Sequence, residues 1–214
     1  MKRKQVRKLR QSERTELSDR RMIQTAIDII LRRGIAGLRL TEVGLRAGYS
    51  RGLATMRFRT MGGLLRRVAE HLSRGWMRDL TDALGDKKGL AAIHAAIDTQ
   101  ERALAPPAST VRVQYLILFY SMDPGAADRL NIARVLAAQR RDLARWIRDA
   151  VDIGEVRAEV DPEAEAAAIL CSMVGIIFQS LADPEASTSG MSAKLKADVA
   201  ARLMPSRRAR ATVV

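Results

Sequence analysis

Few side chains in this sequence could do covalent chemistry. Its two histidines, His71 and His94, fall in different stretches, and neither has a carboxylate or thiol at metal-ligand spacing. The one cysteine, Cys171, has no partner for an internal disulfide, which fits a reducing compartment. It lies inside the apolar run AAAILCSMVGIIF (166–178), where it reads as a small packed hydrophobe and not as a redox centre. The sequence contains no phosphate loop, nucleophile elbow or paired-acid motif. These features point away from an enzyme, a metal site or a resident cofactor. Arginine is a different matter. Arg39, Arg46, Arg51, Arg57 and Arg59 gather around the turn Gly48-Tyr49-Ser50, in and beside RAGYSRGLATMRF (46–58). Guanidinium groups so clustered can grip phosphates or pair with guanine edges.

The charge distribution agrees. The chain of 214 residues has a net charge of +13, and residues 1–75 carry all of the excess, with 19 Lys and Arg against 6 Asp and Glu. A genome rich in arginine would raise the isoelectric point everywhere, not in one third of the chain. A basic module on a neutral body implies a polyanion bound at one end.

Those arginines need elements to position them, and the apolar spacing supplies helices. Residues 1–17 hold seven basic residues with little periodicity and are expected to form a disordered arm. Ser18 or Asp19 offers an N-cap, and Ile23, Ala26, Ile27, Ile30 and Leu31 form one apolar stripe ending at Gly34. A short helix is expected over Leu40–Ala47, with Leu40, Val43 and Ala47 inward. Gly48-Tyr49-Ser50 makes the turn, Ser50 can cap a third helix over 51–57, and Phe58 plugs the core beneath it. Such a helix keeps little for its own core, which suits an element laid in a major groove only ~12 Å wide. The three helices read as a helix-turn-helix. The candidate DNA contacts are Arg39, Thr41, Arg46, Tyr49, Ser50, Arg51, Gly52, Ala54, Thr55, Arg57 and Arg59.

This stretch resembles the tetracycline-repressor (TetR) family of bacterial transcriptional regulators, whose pattern runs AGVSRG…YxHFxSKxxLL. Here Ala47-Gly48-Tyr49-Ser50-Arg51-Gly52 is followed in register by Phe58, Thr60, Leu64 and Leu65, over about residues 18–75. A weaker likeness at 153–185 is similar to the family's entry into its dimerisation helix. The sequence departs from the pattern at two anchors. Thr55-Met56 stands where the family commonly has tyrosine, and Met61 stands where it has lysine; both positions usually touch phosphates. Arg57, in place of the usual histidine, and Arg59 are candidates to replace them.

The rest of the chain reads as helical too. A long helix is expected from Thr60 to Leu84, a turn at 85–89, then helices at about 90–104, 109–122, 125–152, 162–182 and 191–204. Asp161-Pro162 and Asp183-Pro184 pair an N-cap with a favoured first helical residue. The fold class is therefore all-α, with about nine helices. The expected division is the arm (1–17), a DNA-binding domain (18–65), a helical effector-binding and dimerisation domain (66–204) and a disordered tail (205–214). The run at 166–178 falls short of the ~20 residues of a spanning helix and reads as buried. With no signal-peptide pattern at the N-terminus, the chain is expected in the cytoplasm, on the nucleoid.

Tyr115, Phe119 and Met122 share one helix, with His94, Trp146 and Met173 on others. Such residues pack a core or line a ligand cavity, and the resemblance implies a small effector. The 162–182 helix is apolar over so wide an arc that one side needs a cover beyond its own subunit. The expected dimer seam comprises Ile169, Met173, Gly175, Ile176 and Phe178 with Leu195, Val199 and Leu203. The favoured reading is a dimeric, ligand-responsive regulator, more often a repressor, on a palindromic operator. The alternative is a non-specific, architectural nucleic-acid-binding protein.

Overall fold

The computed structural model describes residues 10–105, 109–123, 125, 132–183 and 189–204. Among these residues every regular element is helical. They are α1 (Gln11–Arg33), a single 3₁₀ turn at Ile35–Gly37, α2 (Leu40–Arg46), α3 (Arg51–Phe58), α4 (Met61–Leu84), α5 (Gly89–Leu104), α6 (Ser109–Met122), α7 (Ile132–Asp152), α8 (Pro162–Ala182) and α9 (Ser189–Leu203). The chain divides into two compact units. Among the described residues, the first holds those up to Ser73 together with those within Val113–Leu130, and the second holds those within Arg74–Arg112 and those from Ile132 onward. Part of α6 thus belongs with α1–α3, where a division at residue 65 had been expected.

In the first unit, Met22, Ile29 and Ile30 of α1 meet Val43, Phe58 and Leu64 in one core, which Val113 and Ile117 of α6 complete. Phe58 is the plug that its position suggested. α1 begins at Gln11, a full two turns before the expected cap. Its start is held by the Glu13 carboxylate, which accepts from the Arg10 backbone N–H at 2.6 Å. Ser18 is buried mid-helix, its hydroxyl donating to the Thr15 carbonyl. The apolar stripe marks where α1 touches its core, not where the helix starts. Residues 1–9 of the expected arm, and the expected tail, lie outside the described residues.

The α2–α3 turn is tight. The Tyr49 N–H donates to the Gly44 carbonyl at 2.9 Å, and Gly48 takes φ +85, a conformation that a Cβ resists. A Cβ at Gly44 would lie 2.7 Å from the Ser50 carbonyl oxygen, so the two backbones meet because position 44 has no side chain. Ser50 occupies the cap position of α3, but its hydroxyl makes no capping bond. Thr60 does cap: its Oγ1 accepts from the Gly63 N–H at 2.9 Å and opens α4.

The second unit is built on α5, α7, α8 and α9, with Ile93, Ile97, Ile147, Ile169, Val199 and Leu203 at its centre. Two polar ties fix its register. Gln100 Nε2 donates to the Met173 carbonyl at 3.0 Å in the interior, and the Glu155 carboxylate accepts from the Leu90 N–H at the start of α5. Asp161 caps α8 as expected, its Oδ1 accepting from the Glu163 and Ala164 N–H groups ahead of Pro162 at the first turn. At 21 residues α8 is long and apolar enough to cross a membrane by length and composition alone, yet Ala166, Ile169, Leu170, Met173, Ile176 and Ile177 are buried in this unit's core or against it. α7 is described from Ile132. Residues 126–131, where an earlier start was expected, lie outside the described residues.

Two measurements probe this architecture. Gly44→Ala adds a methyl against backbone; the clash, about 1–3 kcal/mol, should outweigh the ~1 kcal/mol that alanine contributes to a helix, and the melting temperature should fall. Gly52→Ala on α3, where a Cβ meets nothing within 4 Å, is the control and should be neutral or stabilising. Equal melting temperatures for the two variants would refute the close approach. The second concerns His94, half-buried on α5. Desolvation, then Lys196, holds its imidazole below the usual range, while Asp98 and Glu155 pull the other way. A depressed folded-state value means the unfolded chain binds the proton more readily. Stability should therefore be full above the unfolded value near 6.5 and decline as the pH falls below it. His94→Gln should flatten that decline in thermal unfolding measured between pH 7.5 and 5.

Candidate nucleic-acid interface

α3 is a two-sided helix only eight residues long. Its inward arc is Ala54 and Phe58, both buried, with Leu53 and Arg57 half-buried beside them. Its outward arc is Arg51, Gly52, Thr55 and Met56, continued by Arg59 just past its end, all exposed. Ala54 therefore cannot be a DNA contact. Its side chain is 0 % exposed and faces the α2–α3 contact, 3.6 Å from where a Cβ on Gly44 would stand. Met56 was overlooked, although it is 66 % exposed. The turn of about 100° per residue would have found it, since it places Met56 about 160° round the helix from the buried Ala54. A thioether there offers an apolar contact of the kind that thymine methyl groups accept.

The arginines differ in how they are engaged. Arg39, at the cap position of α2, curls onto its own loop, and its Nη1 donates to the Ala36 and Leu38 carbonyls at 2.7 and 2.8 Å. Arg46 pairs with Glu42 at 3.0 Å, a carboxylate it shares with Arg33 at 2.6 Å. The Arg33 hydrogen bond holds the Glu42 carboxyl below its ordinary range, with Arg46 and Arg39 adding smaller attractions. Arg57 turns inward, its Nη2 donating to Thr15 Oγ1 at 3.0 Å and its Nε lying 3.6 Å from Asp19. Arg51 and Arg59 are exposed and have no ion-pair partner among the described residues. Of the two arginines expected to replace the missing phosphate anchors, only Arg59 reaches solvent freely. Thr41 and Ser50 are exposed, and Tyr49 is half-buried against the first core.

Arg59 also has φ +65, the one non-glycine positive φ among the described residues. Its N–H donates to the Thr55 carbonyl and closes the last turn of α3. The cause is the start of α4: a Cβ at Gly63 would lie 2.1 Å from the Phe58 carbonyl, so the chain must reverse within two residues.

The six residues expected to line an effector pocket fall into both units. Tyr115, Phe119 and Met122 belong to the first, where Tyr115 and Phe119 meet edge-on at 6.1 Å and burial pushes the Tyr115 hydroxyl up to about 12. Phe119 and Met122 are exposed. His94, Trp146 and Met173 belong to the second, where Trp146 and Met173 are core residues. A groove of about 380 Å³ in that unit lies elsewhere, between α7 and α8, lined by Ala137, Arg140, Arg141, Ala144, Arg148, Glu163 and Ala167. The described residues hold no cluster of three or more metal-ligating side chains.

The expected dimer seam needs correction. Ile169, Met173, Ile176, Leu195, Val199 and Leu203 are buried within their own subunit and cannot face a partner. Gly175 and Phe178 lie on the other arc of α8, with Ala164, Ala168, Cys171, Ser172 and Ala182 exposed along it. Cys171 is therefore a surface thiol and not the packed hydrophobe expected of it. On α9 the exposed residues are Gly190, Ala193, Lys194, Ala197, Ala201 and Arg202.

No family profile and no curated protein matches the sequence. Solved structures do match. A TetR-family transcriptional regulator from Rhodococcus sp. shares 23% identity at a TM-score of 0.70, with 88% of this chain and 100% of that one covered. A TetR regulator from Chloroflexus aurantiacus shares 16% at 0.76, covering 90% and 99%. SmeT in complex with triclosan shares 17% at 0.74, covering 89% and 93%; SmeT is the repressor of a multidrug efflux pump of Stenotrophomonas maltophilia. Over the 88–90% of its length that these structures cover, this chain has the fold of the TetR-family transcriptional regulators.

Proposed function

We propose that the protein is a ligand-responsive transcriptional regulator that binds double-stranded operator DNA as a homodimer. One observation supports it above the others: α3 presents Arg51, Gly52, Thr55, Met56 and Arg59 to solvent while contributing little more than Ala54 and Phe58 to the core. Small residues allow a close approach to a groove floor, and cations at both ends of the arc meet phosphates or a guanine edge. An architectural protein would have no use for the second unit, which has its own core and a net charge near zero. The matched repressor SmeT binds triclosan, and by analogy a small effector is expected to enter this chain's second unit and release it from DNA. The working place of such a regulator is the cytoplasm, on the nucleoid.

The surfaces of α8 and α9 support the dimer reading. Their outer arcs are exposed, built mostly of small residues beside Phe178 and Lys194, and adjacent in one unit, so two copies can pack helix to helix about a two-fold axis. Such symmetry places two identical recognition helices on a palindromic site.

Two experiments test this reading. Selection of bound sequences from random duplex DNA should return a palindrome, and Arg51→Ala should weaken binding to it by ~1–3 kcal/mol if the guanidinium reads a base. A random-sequence pool that emerges unenriched would refute sequence-specific binding. For the dimer, Gly175→Arg is informative because a Cβ there meets nothing within 4 Å in its own subunit. It should give a folded monomer by sedimentation and circular dichroism, without operator affinity. A wild-type monomer at micromolar concentration, or a dimer that survives Gly175→Arg, would overturn the proposed seam.

A further inference from the structure

The Asp19 carboxylate of α1 stands between two cations from other helices. Arg57 Nε of α3 lies 3.6 Å from its Oδ1, and Arg67 Nη2 of α4 lies 3.9 Å from its Oδ2. Arg57 is anchored a second time to α1 by its 3.0 Å bond to Thr15 Oγ1, one helical turn before Asp19. The pair is sheltered, with Asp19 19% and Arg57 28% exposed at the side chain, and the two facing atoms, Oδ1 and Nε, are out of contact with solvent. At 3.6 Å they attract as charges but do not hydrogen-bond. A partly dehydrated pair of this kind adds little net stability, while loss of one member leaves a stranded charge. Its effect is geometric. The guanidinium of Arg57 reaches back over α1 from the last turn of α3, so the recognition helix cannot rotate about its axis without breaking both bonds.

We infer that Arg57 and Asp19 form a positioning pair that sets the angle at which α3 offers Arg51 and Thr55 to DNA, and that Arg57 is not itself a phosphate anchor. The pair therefore governs sequence selectivity. Arg67, exposed on α4 and held by the same carboxylate and by Glu70, extends the tie to a third helix. This inference depends on the DNA-binding reading above, but the tie itself can be tested without DNA.

The first test is a double-mutant cycle on the DNA-free protein with Asp19→Asn, Arg57→Gln and both together, followed by thermal unfolding. Coupled residues give a double variant no less stable than the worse single one; additive losses in melting temperature would show that the two do not act together. The second measures affinity for the palindrome selected with wild type and for a random duplex, over a series of salt concentrations. Positioning predicts that Arg57→Gln lowers the preference for the palindrome about tenfold while the salt slope stays at the wild-type value. Asp19→Asn, which removes no positive charge, should lower the preference likewise. A phosphate anchor predicts instead that Arg57→Gln weakens both duplexes equally and reduces the slope by about 0.9. That result would overturn the inference. Arg57→Lys keeps the charge but not the two-pronged reach, so it should retain the slope and lose the preference, and it replaces Arg57→Gln if that variant unfolds. If wild type selects no sequence, the regulator reading fails, and the thermal cycle still decides whether the pair ties α3 to α1.

Discussion

The first unit depends on a single backbone contact, where α2 passes the start of α3 with no side chain between them. Because Gly44 lacks a Cβ, the Ser50 carbonyl can approach to within 2.7 Å of where that atom would be. The Tyr49 N–H then reaches the Gly44 carbonyl, and Gly48 takes the left-handed conformation that turns the chain. Everything the unit offers to solvent follows from this. With α2 and α3 so close, Ala54 suffices to fill the gap between them, and Phe58 alone anchors the far end of α3 in the core. The remaining residues of a two-turn helix are released from packing. A bulkier residue at 44 would move α3 away and oblige it to bury more of itself.

The two outer surfaces that matter for the proposed function share one geometric device and differ in chemistry. On α3 the outward arc is small and polar or cationic, and the apolar Met56 stands alone in it. On α8 the outward arc is small and weakly apolar, with Phe178 as its one large residue, 54 % exposed. Small side chains let another backbone come near in both cases. A cationic rim selects a polyanion, whereas a nearly uncharged surface selects a partner that also loses water from apolar area. Arginine counts alone would not have separated these surfaces, because α7 also carries arginines in the groove that α8 closes.

The sequence made the helices legible wherever a cap or an apolar stripe coincided with the start of packing. Asp161-Pro162 marked α8 to the residue, and the turn at Gly48 placed α2 and α3 within one residue at each end. α1 was misjudged because its first two turns are held by Glu13 and by contact with Arg57, neither of which leaves a periodic apolar trace. Arg57 itself looked like one more member of a basic cluster. Its inward direction follows from its place on the arc beside Ala54 and Phe58 and from an acceptor 42 residues earlier in the chain, and only the second fact is invisible to local spacing. The expected seam on α8 likewise mixes its two sides, joining the buried Ile169, Met173 and Ile176 to the outward Gly175 and Phe178. A helix apolar all round gives no hydropathy signal for its inward face. Side-chain size does give one: the branched Ile169, Leu170, Ile176 and Ile177 are buried, and Ala164, Ala168, Cys171 and Gly175 are left on the other side.

The arc that α3 presents is thus fixed by two arrangements that are unfavourable when taken alone. Arg59, at one end, adopts a left-handed backbone that costs a residue with a Cβ of the order of 1–3 kcal/mol. Arg57, two residues earlier and on the inward side, keeps a charge partly out of water beside a carboxylate too distant for a hydrogen bond. A helix of eight residues has too little packing area to resist rotation by hydrophobic contact alone, since apolar burial is non-directional. Directional constraints are therefore needed, and they can be tolerated because the core formed by α1, α4 and α6 holds the unit together independently of them. Stability and orientation are supplied by different residues in this unit. A substitution can then remove the second and leave the first nearly intact, which is the condition under which a recognition helix can change its specificity without unfolding its domain.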